Sequence, residues 1–484
     1  MAEPALPASI HEMDGVTLSK AIRRKKVSAV EVMTATLDRI DRLNPKVNAI
    51  VSLKDRATLL AEAREKDAML ARGEVMGPLH GIPQAVKDLD DVRGIPTTKG
   101  SPVLKDFVPE ADSIMAERMR AAGAIFIGKT NVPEFGLGSH TTNPVFGPSR
   151  NPYDPSRTPG GSSGGAAAAL AMRLLSVADG SDYGGSLRNP AGWNNVFGFR
   201  PSIGRIPADD TDLFLPTMGT AGPMARTVPD LGLLLAVQAG YDARAPLSVA
   251  SDPGAFAGSL NRDVKGTRIA FLGDFEGYLP FEPGVLEVCR RAMKTFEDLG
   301  CIVEDAIPDH PLDEMWRAWL VLRAWQSGGS GKPHYDDPAK RTLLNRQMIF
   351  EVESGMKLKA FDVTAAGQVR GAWYRSILRL FRRYDFFVLP TAQMFPFPVE
   401  TVWPTEIAGR KMTTYHEWMK VVLPATMFGG PALAAPAGFG DNGLPIGLQI
   451  VGPIQAELAC LKLAHAYDQA SQWVTKRPPQ LSLR

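Results

Sequence analysis

The chain has 484 residues, 44% of them hydrophobic and 22% charged, and its 54 lysines and arginines face 52 aspartates and glutamates for a net charge of +2. That length buries a large core without disulfide or metal staples, and although ordinary domain sizes would allow about three domains, large α/β enzymes often exceed them as one unit. The near balance of charge, with no long block of one sign, excludes a nucleic-acid tract and offers an anionic membrane surface nothing to hold.

The 46 glycines and 39 prolines favour a loop-rich scaffold over a helical bundle. One short basic run, Arg23, Arg24, Lys25 and Lys26, falls in a predicted helical region and reads as solvated surface. Cys289, Cys301 and Cys460 are scattered without Cys-x-x-Cys spacing, which argues against a disulfide framework or a zinc site. The opening Met-Ala-Glu-Pro, with His11, Glu12 and Asp14 close behind, lacks the basic-then-apolar order of a secretion signal. The longest run of small apolar residues, 166–178, is broken by Arg173 and is too short to span a bilayer. A cytoplasmic protein is expected.

Taken in chain order, residues 1–75 predict helices. Val30, Met33, Leu37, Ile40 and Leu43 recur at three- and four-residue steps, and 57–71 repeats the pattern. After a turn at Gly77-Pro78, an apolar strand over 82–86 delivers Lys87 and Asp88. A helix over 113–122, Gly123 and a strand over 124–127 follow. The same order returns with a helix to Leu299, Gly300 and a strand at 302–303, the signature of a layered α/β protein. Prolines and polar turn formers make 143–157 a loop. A Gly/Ser stretch (160–165), an alanine-rich helix (166–175), a second Gly/Ser stretch (180–186) and Arg188 form one functional core. Residues 305–420 hold Trp316, Trp319, Trp325, His334, Tyr335 and several methionines, with a strand signal at 386–389. The C-terminal part predicts strands within 431–439 and 443–452 and a closing helix to about Trp473.

Two motif matches fail on context. Residues 123–130 satisfy G-x-x-x-x-G-K-[ST], but a phosphate loop needs a strand before its first glycine and free backbone N–H groups between the two. Here a helix precedes Gly123, the intervening Ala-Ile-Phe-Ile is a buried strand, and Pro133 removes a donor soon after. Residues 160–164 satisfy G-x-S-x-G, which would make Ser162 the nucleophile of an esterase elbow. The preceding Asp154-Pro155-Ser156-Arg157-Thr158-Pro159 cannot be the central strand such an elbow needs. His310, His334, His416 and His465 lie downstream as partners, without distinguishing neighbours.

Three other segments combine better. A lysine ending an apolar strand, as in Gly81-Ile82-Pro83-Gln84-Ala85-Val86-Lys87-Asp88, can be drawn into a dry site where desolvation frees its amine as a base. In residues 159–165 and 179–188, glycines flank serines, so several backbone N–H groups can turn toward one point beside a serine nucleophile. Flexible loops are the plain alternative, and they leave unexplained why both segments interrupt well-formed helix and strand sequence.

These segments resemble the amidase signature family, whose pattern includes Gly-Gly-Ser-Ser-Gly-Gly followed by Asp-x-Gly-Gly-Ser-x-Arg. The separations are similar too, 75 positions from Lys87 to Ser162 and 24 from Ser162 to Ser186. Gly128-Lys129-Thr130-Asn131 with Pro133-Glu134, and residues 443–449, extend the resemblance over nearly the whole chain. It implies an α/β/α sandwich with a central mixed β-sheet, spanning 1–484 as a single amidase domain. Within it lie N-terminal helices (about 1–75), a signature core (about 76–210) and a cover over the substrate cleft (about 310–420). It further implies Ser186 as the nucleophile that forms an acyl-enzyme, and Ser162, behind a cis peptide with Gly161, as proton relay to Lys87. The N–H groups of Tyr183, Gly184, Gly185 and Ser186 resemble the oxyanion hole, and Ser163, Asp182 and Arg188 correspond to bracing positions. No metal or organic cofactor is needed, a small-molecule amide is the implied partner, and a homodimer is one assembly it allows. Many relatives carry Thr or Ile where this chain has Tyr183, which would narrow or line the pocket without touching backbone chemistry.

The substrate stays open between aryl or aliphatic carboxamides, anilides, esters and carbamates. A glutaminase subunit of a tRNA-dependent amidotransferase shares the signature but resembles its kin in an acidic glutamine anchor before a Pro-containing segment. Here Trp418, Met419 and Lys420 precede Pro424, which suits a glutamine ammonium group poorly. A non-catalytic binding protein on the same scaffold is disfavoured by intact Lys87, Ser162 and Ser186. Trp418, Tyr183 and Trp325 are candidates for pocket lining, or for ordinary core packing.

Overall fold

A computed structural model describes residues 9–209, 212–215 and 217–483. Residues 1–8 of the expected N-terminal helices and residue 210 at the end of the expected signature core lie outside them. The N-terminal helices are Gly15–Arg23, Ala29–Val47 and Arg56–Ala71. Asp14 and Asp55 cap the first and third, and Ser28 and Glu31 form a reciprocal box at the second, which satisfies amides that a helix start leaves without partners. Hydrophobic periodicity does not reveal the short strand Ile50–Val51 between them.

That strand pairs antiparallel with Ile125–Thr130, which runs parallel to Pro83–Lys87, so the three form a small sheet with Lys87 opposite Thr130 at its end. All of Ile125–Thr130 is buried strand, so the residues of the phosphate-loop pattern are structural. The main sheet has eight strands in the order Val177–Asp182, Thr220–Ala225, Phe197–Arg200, Ala432–Phe439, Pro445–Val451, Phe386–Pro390, Arg268–Phe271, Ile302–Asp305. Pairing is antiparallel through Phe386–Pro390 and parallel beyond it, so the sheet is mixed. Side chains join the small sheet to its Val177–Asp182 edge: Lys87 N donates to Asp179 Oδ2 at 3.0 Å, and Gln84 Nε2 to Val177 O at 3.2 Å.

In the small sheet, strand alternation sends neighbouring apolar side chains into different cores. Phe126 and Val86 enter the larger core, whereas Ile125, Ile127 and Ala85 enter a smaller one built with Met33, Leu37 and the alanine-rich helix. The expected α/β/α sandwich is what the chain forms.

Several boundaries differ from expectation for local reasons. The alanine-rich helix is Gly164–Ala171 and stops before Arg173, which takes a positive φ of 56°. Its glycines are helical, and what they supply is closeness: a Cβ on Gly165 would lie 2.4 Å from Asn131 N. Of the second Gly/Ser stretch, residues 180–182 belong to strand Val177–Asp182, so only 183–186 turn. The expected cover comprises helices Leu312–Asp336, Arg346–Met356 and Ala360–Leu380, yet it also contributes the central strand Phe386–Pro390.

A methyl group therefore separates packing glycines from idle ones. Gly165→Ala should lower the melting temperature by several degrees or prevent folding, since overpacking costs about 1–3 kcal/mol and here the obstacle is backbone. Gly367→Ala, exposed in Ala360–Leu380 with open space at its Cβ, should raise stability by about 0.5–1 kcal/mol. Thermal melts of the two variants check both signs.

Candidate active site

Lys87 stands at the end of strand Pro83–Lys87 with 0% of its surface exposed. Its Nζ lies 2.8 Å from Ser162 Oγ, 2.8 Å from Ser163 Oγ, 3.0 Å from Ser181 Oγ and 3.1 Å from Ser181 O. Burial lowers its pKa from 10.5 to about 8, against the opposing pull of Asp90, Asp182 and Asp179. Beneath it, burial raises the Asp179 carboxyl to about 7, and Asp179 Oδ1 has no partner among the described residues. The segment 159–165 brings Ser162 and Ser163 in from a different part of the chain, and the Gly161–Ser162 peptide is cis.

The turn after strand Val177–Asp182 carries Ser186. Gly185 takes a φ of 93°, and a Cβ there would lie 2.7 Å from Val422, so the turn closes only with glycine. Asp182 organises the turn: its carboxylate accepts from Gly185 N (2.8 Å), Leu187 N (3.1 Å), Arg188 Nε (2.9 Å) and Arg188 Nη2 (2.9 Å). Burial alone would raise its pKa, but the Arg188 and Arg200 guanidiniums hold it well below the usual carboxylate range. Arg188 also donates to Val422 O, Gln449 Oε1 and Thr426 Oγ1, tying the turn to two C-terminal segments.

The structure thus brings together Lys87, Ser162 and Ser163, with Ser163 N donating to Ser186 O at 3.3 Å. Ser186 Oγ makes no hydrogen bond among the described residues, so the Ser162–Ser186 hydroxyl link is not closed. Ser186 is 7% exposed. Of the four expected oxyanion amides, Gly185 is already occupied by Asp182, while those of Tyr183, Gly184 and Ser186 have no side-chain acceptor among the described residues.

The pocket candidates separate. A Cβ on Gly184 would lie 3.6 Å from Trp319 and 3.9 Å from Met419 and Leu423, so these apolar side chains close around the turn. Tyr183 OH donates to Gln326 Oε1 at 2.8 Å, and the Arg323 guanidinium sits 5.1 Å from its ring centroid. Arg323 is paired with Glu351 at 2.8 Å, beside a His416 whose pKa burial lowers to about 4. Trp418 is buried, stacked 5.9 Å from Trp193, and Trp325 is half-buried against the larger core. The roomier surface grooves, about 400 and 510 Å³, lie beside Arg262 and carry none of these residues.

Sequence reasoning missed Ser181 and Asp179, although both sit inside the 179–188 segment it singled out; alternation along a strand would have put them on Lys87's side. Arg200, Glu351 and Arg323 had no local signal, because their partners are remote in sequence. Among the described residues no cluster of His, Cys, Asp or Glu could hold a metal ion, and no helix is long and apolar enough to cross a membrane.

Comparison with known proteins finds relatives along nearly the whole chain. Residues 31–461 match the Amidase family model. The chain is 32% identical to an acylamidase of Rhodococcus erythropolis, covering 97% of this chain and 98% of that protein. It is 35% identical to a glutamyl-tRNA(Gln) amidotransferase subunit of Acidothermus cellulolyticus, covering 96% and 95%. Among solved structures, a bacterial aryl acylamidase of the amidase signature family superposes with a TM-score of 0.88 at 29% identity, covering 96% of this chain and 98% of that one. Family model, relatives and fold converge: the chain belongs to the amidase signature family, hydrolases that act on amide C–N bonds.

Proposed function

We propose that the chain is an amidohydrolase that opens carboxamides through an acyl-enzyme on Ser186, with Ser162 relaying protons to Lys87. The observation that carries this reading is a wholly buried amine 2.8 Å from a serine hydroxyl, with its pKa lowered to about 8. In its neutral form the amine accepts the Ser162 proton while Ser162 takes that of Ser186, whose Oγ attacks the carbonyl carbon. Once protonated, Lys87 has three hydrogens for the oxygens of Ser162, Ser163 and Ser181, so the charge it gains is solvated by the protein. The same chain returns a proton to the nitrogen as the C–N bond breaks, and a water repeats the cycle on the ester.

The amides of Tyr183, Gly184 and Ser186 serve the developing oxyanion, and Gly185 is withdrawn from that role because Asp182 already holds it. Ser163, Asp182 and Arg188 brace the turn. Neither a metal nor an organic cofactor enters the scheme. We place the protein in the cytoplasm, acting on a small molecule, and its three cysteines, all buried and free, fit a reducing compartment.

A glutaminase subunit is the second reading, favoured by the amidotransferase relatives. Against it, Met419 lies at the Gly184 turn, and the segment's acidic group, Glu417, is already engaged by Lys420 at 2.9 Å and by Thr413 N at 2.6 Å, while Lys420 also sits 4.5 Å from the Trp316 ring. Ammonia release from glutamine as the sole good substrate would reverse the order of the two readings.

Ser186→Ala should abolish covalent labelling by an acylating probe followed by mass spectrometry, whereas Ser162→Ala should slow labelling without moving the adduct elsewhere. An adduct on Ser162 would restore the esterase elbow. Lys87→Ala should cut amide turnover by about 10²–10⁴-fold, the usual value of general base catalysis, and near-normal turnover would remove the lysine from the mechanism. Because the base works unprotonated, kcat/KM should rise with pH through a midpoint near pH 8 and level off above it; a flat profile from pH 6 to 9 would contradict the assignment.

A further inference from the structure

The helix Leu312–Asp336 lays one face on the turn that carries Ser186. Trp319, Arg323 and Gln326 stand four and three residues apart, so their side chains share that face. A Cβ on Gly184 would lie 3.6 Å from Trp319 Cζ2, and the Arg323 guanidinium sits 5.1 Å from the Tyr183 ring centroid. Gln326 Oε1 accepts from Tyr183 OH at 2.8 Å. Residues 183 and 184 therefore both rest on this helix, and Ser186 follows two positions on.

The neighbouring helix Arg346–Met356 fixes Leu312–Asp336 in turn. A Cβ on Gly328 would lie 2.5 Å from Glu351 O, and one on Gly355 would lie 2.6 Å from Ala324 O, so the two helices meet backbone to backbone. Within that contact Arg323 Nε donates to Glu351 Oε1 at 2.8 Å, and Tyr415 OH and His416 Nε2 converge on the same oxygen. Arg323 is 7% exposed and Glu351 1%, and a buried pair of this kind is costly to separate. Gln326 lies three residues beyond Arg323, so its carboxamide stands on a rigid mount.

The two halves of the turn are held by different means. The Asp182 carboxylate grips the later half through Gly185 N and Leu187 N. Among the described residues no side-chain hydrogen bond reaches the main chain of 183 or 184, and the Tyr183 phenol is the polar side-chain tie of that earlier half. Donors stabilise an oxyanion only when they are fixed beforehand where its charge will develop. We propose that Tyr183 and Gln326 are positioning residues of the Ser186 reaction: their hydrogen bond ties the earlier half of the turn to helix Leu312–Asp336 and so aims the Tyr183 and Gly184 amides at the developing oxyanion. Tyr183 is on this account an anchor of the turn and not a wall of the pocket. The proposal rests on the amidohydrolase reading above.

The test pairs an amide that the protein hydrolyses with the trifluoromethyl ketone of the same acyl group, which forms a tetrahedral oxyanion on a serine. Tyr183→Phe and Gln326→Leu should each lower kcat about tenfold with KM held within about twofold, and weaken the ketone by the same factor, because the stabilisation they remove exists only in the transition state. The double variant should lose no more than either single one, since both delete one bond. Neither KM nor the inhibition constant depends on how much protein is folded, and kcat is referred to sites counted with an acylating probe. Unchanged kcat and ketone affinity in Tyr183→Phe, or fully additive losses in the double variant, would overturn the anchor while leaving the acyl-enzyme scheme intact. A loss carried by KM alone would make Tyr183 a binding residue and overturn the anchor as well. A wild-type protein that hydrolyses no amide, and binds the ketone no better than Ser186→Ala does, would instead bring down the amidohydrolase reading, and the anchor with it.

Discussion

A lysine amine taken wholly out of water is the constraint around which the rest is arranged. In the open, Lys87 would hold its proton through the neutral range; buried, its preference shifts by about 3 kcal/mol toward the uncharged form. What keeps the site from rejecting the group is a shell of three serine hydroxyls at 2.8–3.0 Å that can accept from an ammonium or donate to an amine. Hydroxyls suit both protonation states because each can rotate between donor and acceptor. A carboxylate in direct contact would have pinned the proton instead, and the nearby acids act on Lys87 from farther off.

The turn that carries Ser186 is held differently. Asp182, Arg188 and Arg200 are fully buried ions, and pairs of this kind are costly to break, about 3–5 kcal/mol when one partner is removed. Their geometry spends the carboxylate's oxygens on the turn's own amides and on two guanidiniums, of which Arg188 then reaches three side chains and carbonyls of the C-terminal half. The turn is therefore registered to strand Pro445–Val451 and to the segment around Val422, both far away in sequence. Lys87 comes from the small sheet and Ser186 from the edge of the large one, and the Lys87–Asp179 hydrogen bond sews that seam.

Legibility in the sequence followed contact order. The N-terminal helices, with apolar residues three and four apart, and the strand before Lys87 were readable because their signals lie within a few residues. The serine motifs were readable because glycine is needed where a Cβ would strike backbone, as at Gly165, or where φ is positive, as at Gly185. Composition did not distinguish those two reasons, and so strand residues 180–182 passed for part of a loop. Ile50–Val51 is too short to show a period. Glu351 and Arg323 were invisible for another reason: a buried ion pair between helices Leu312–Asp336 and Arg346–Met356 looks, in sequence, like two solvated charges.

The central claim concerns the charge of one amine, and it can be observed directly. In protein carrying ¹⁵N-labelled lysine, the Lys87 side-chain resonance, assigned by its loss in Lys87→Ala, should titrate near pH 8. A Lys87 amine that stays protonated beyond pH 10 would show that the site does not supply a neutral base, and the relay built on it would fall.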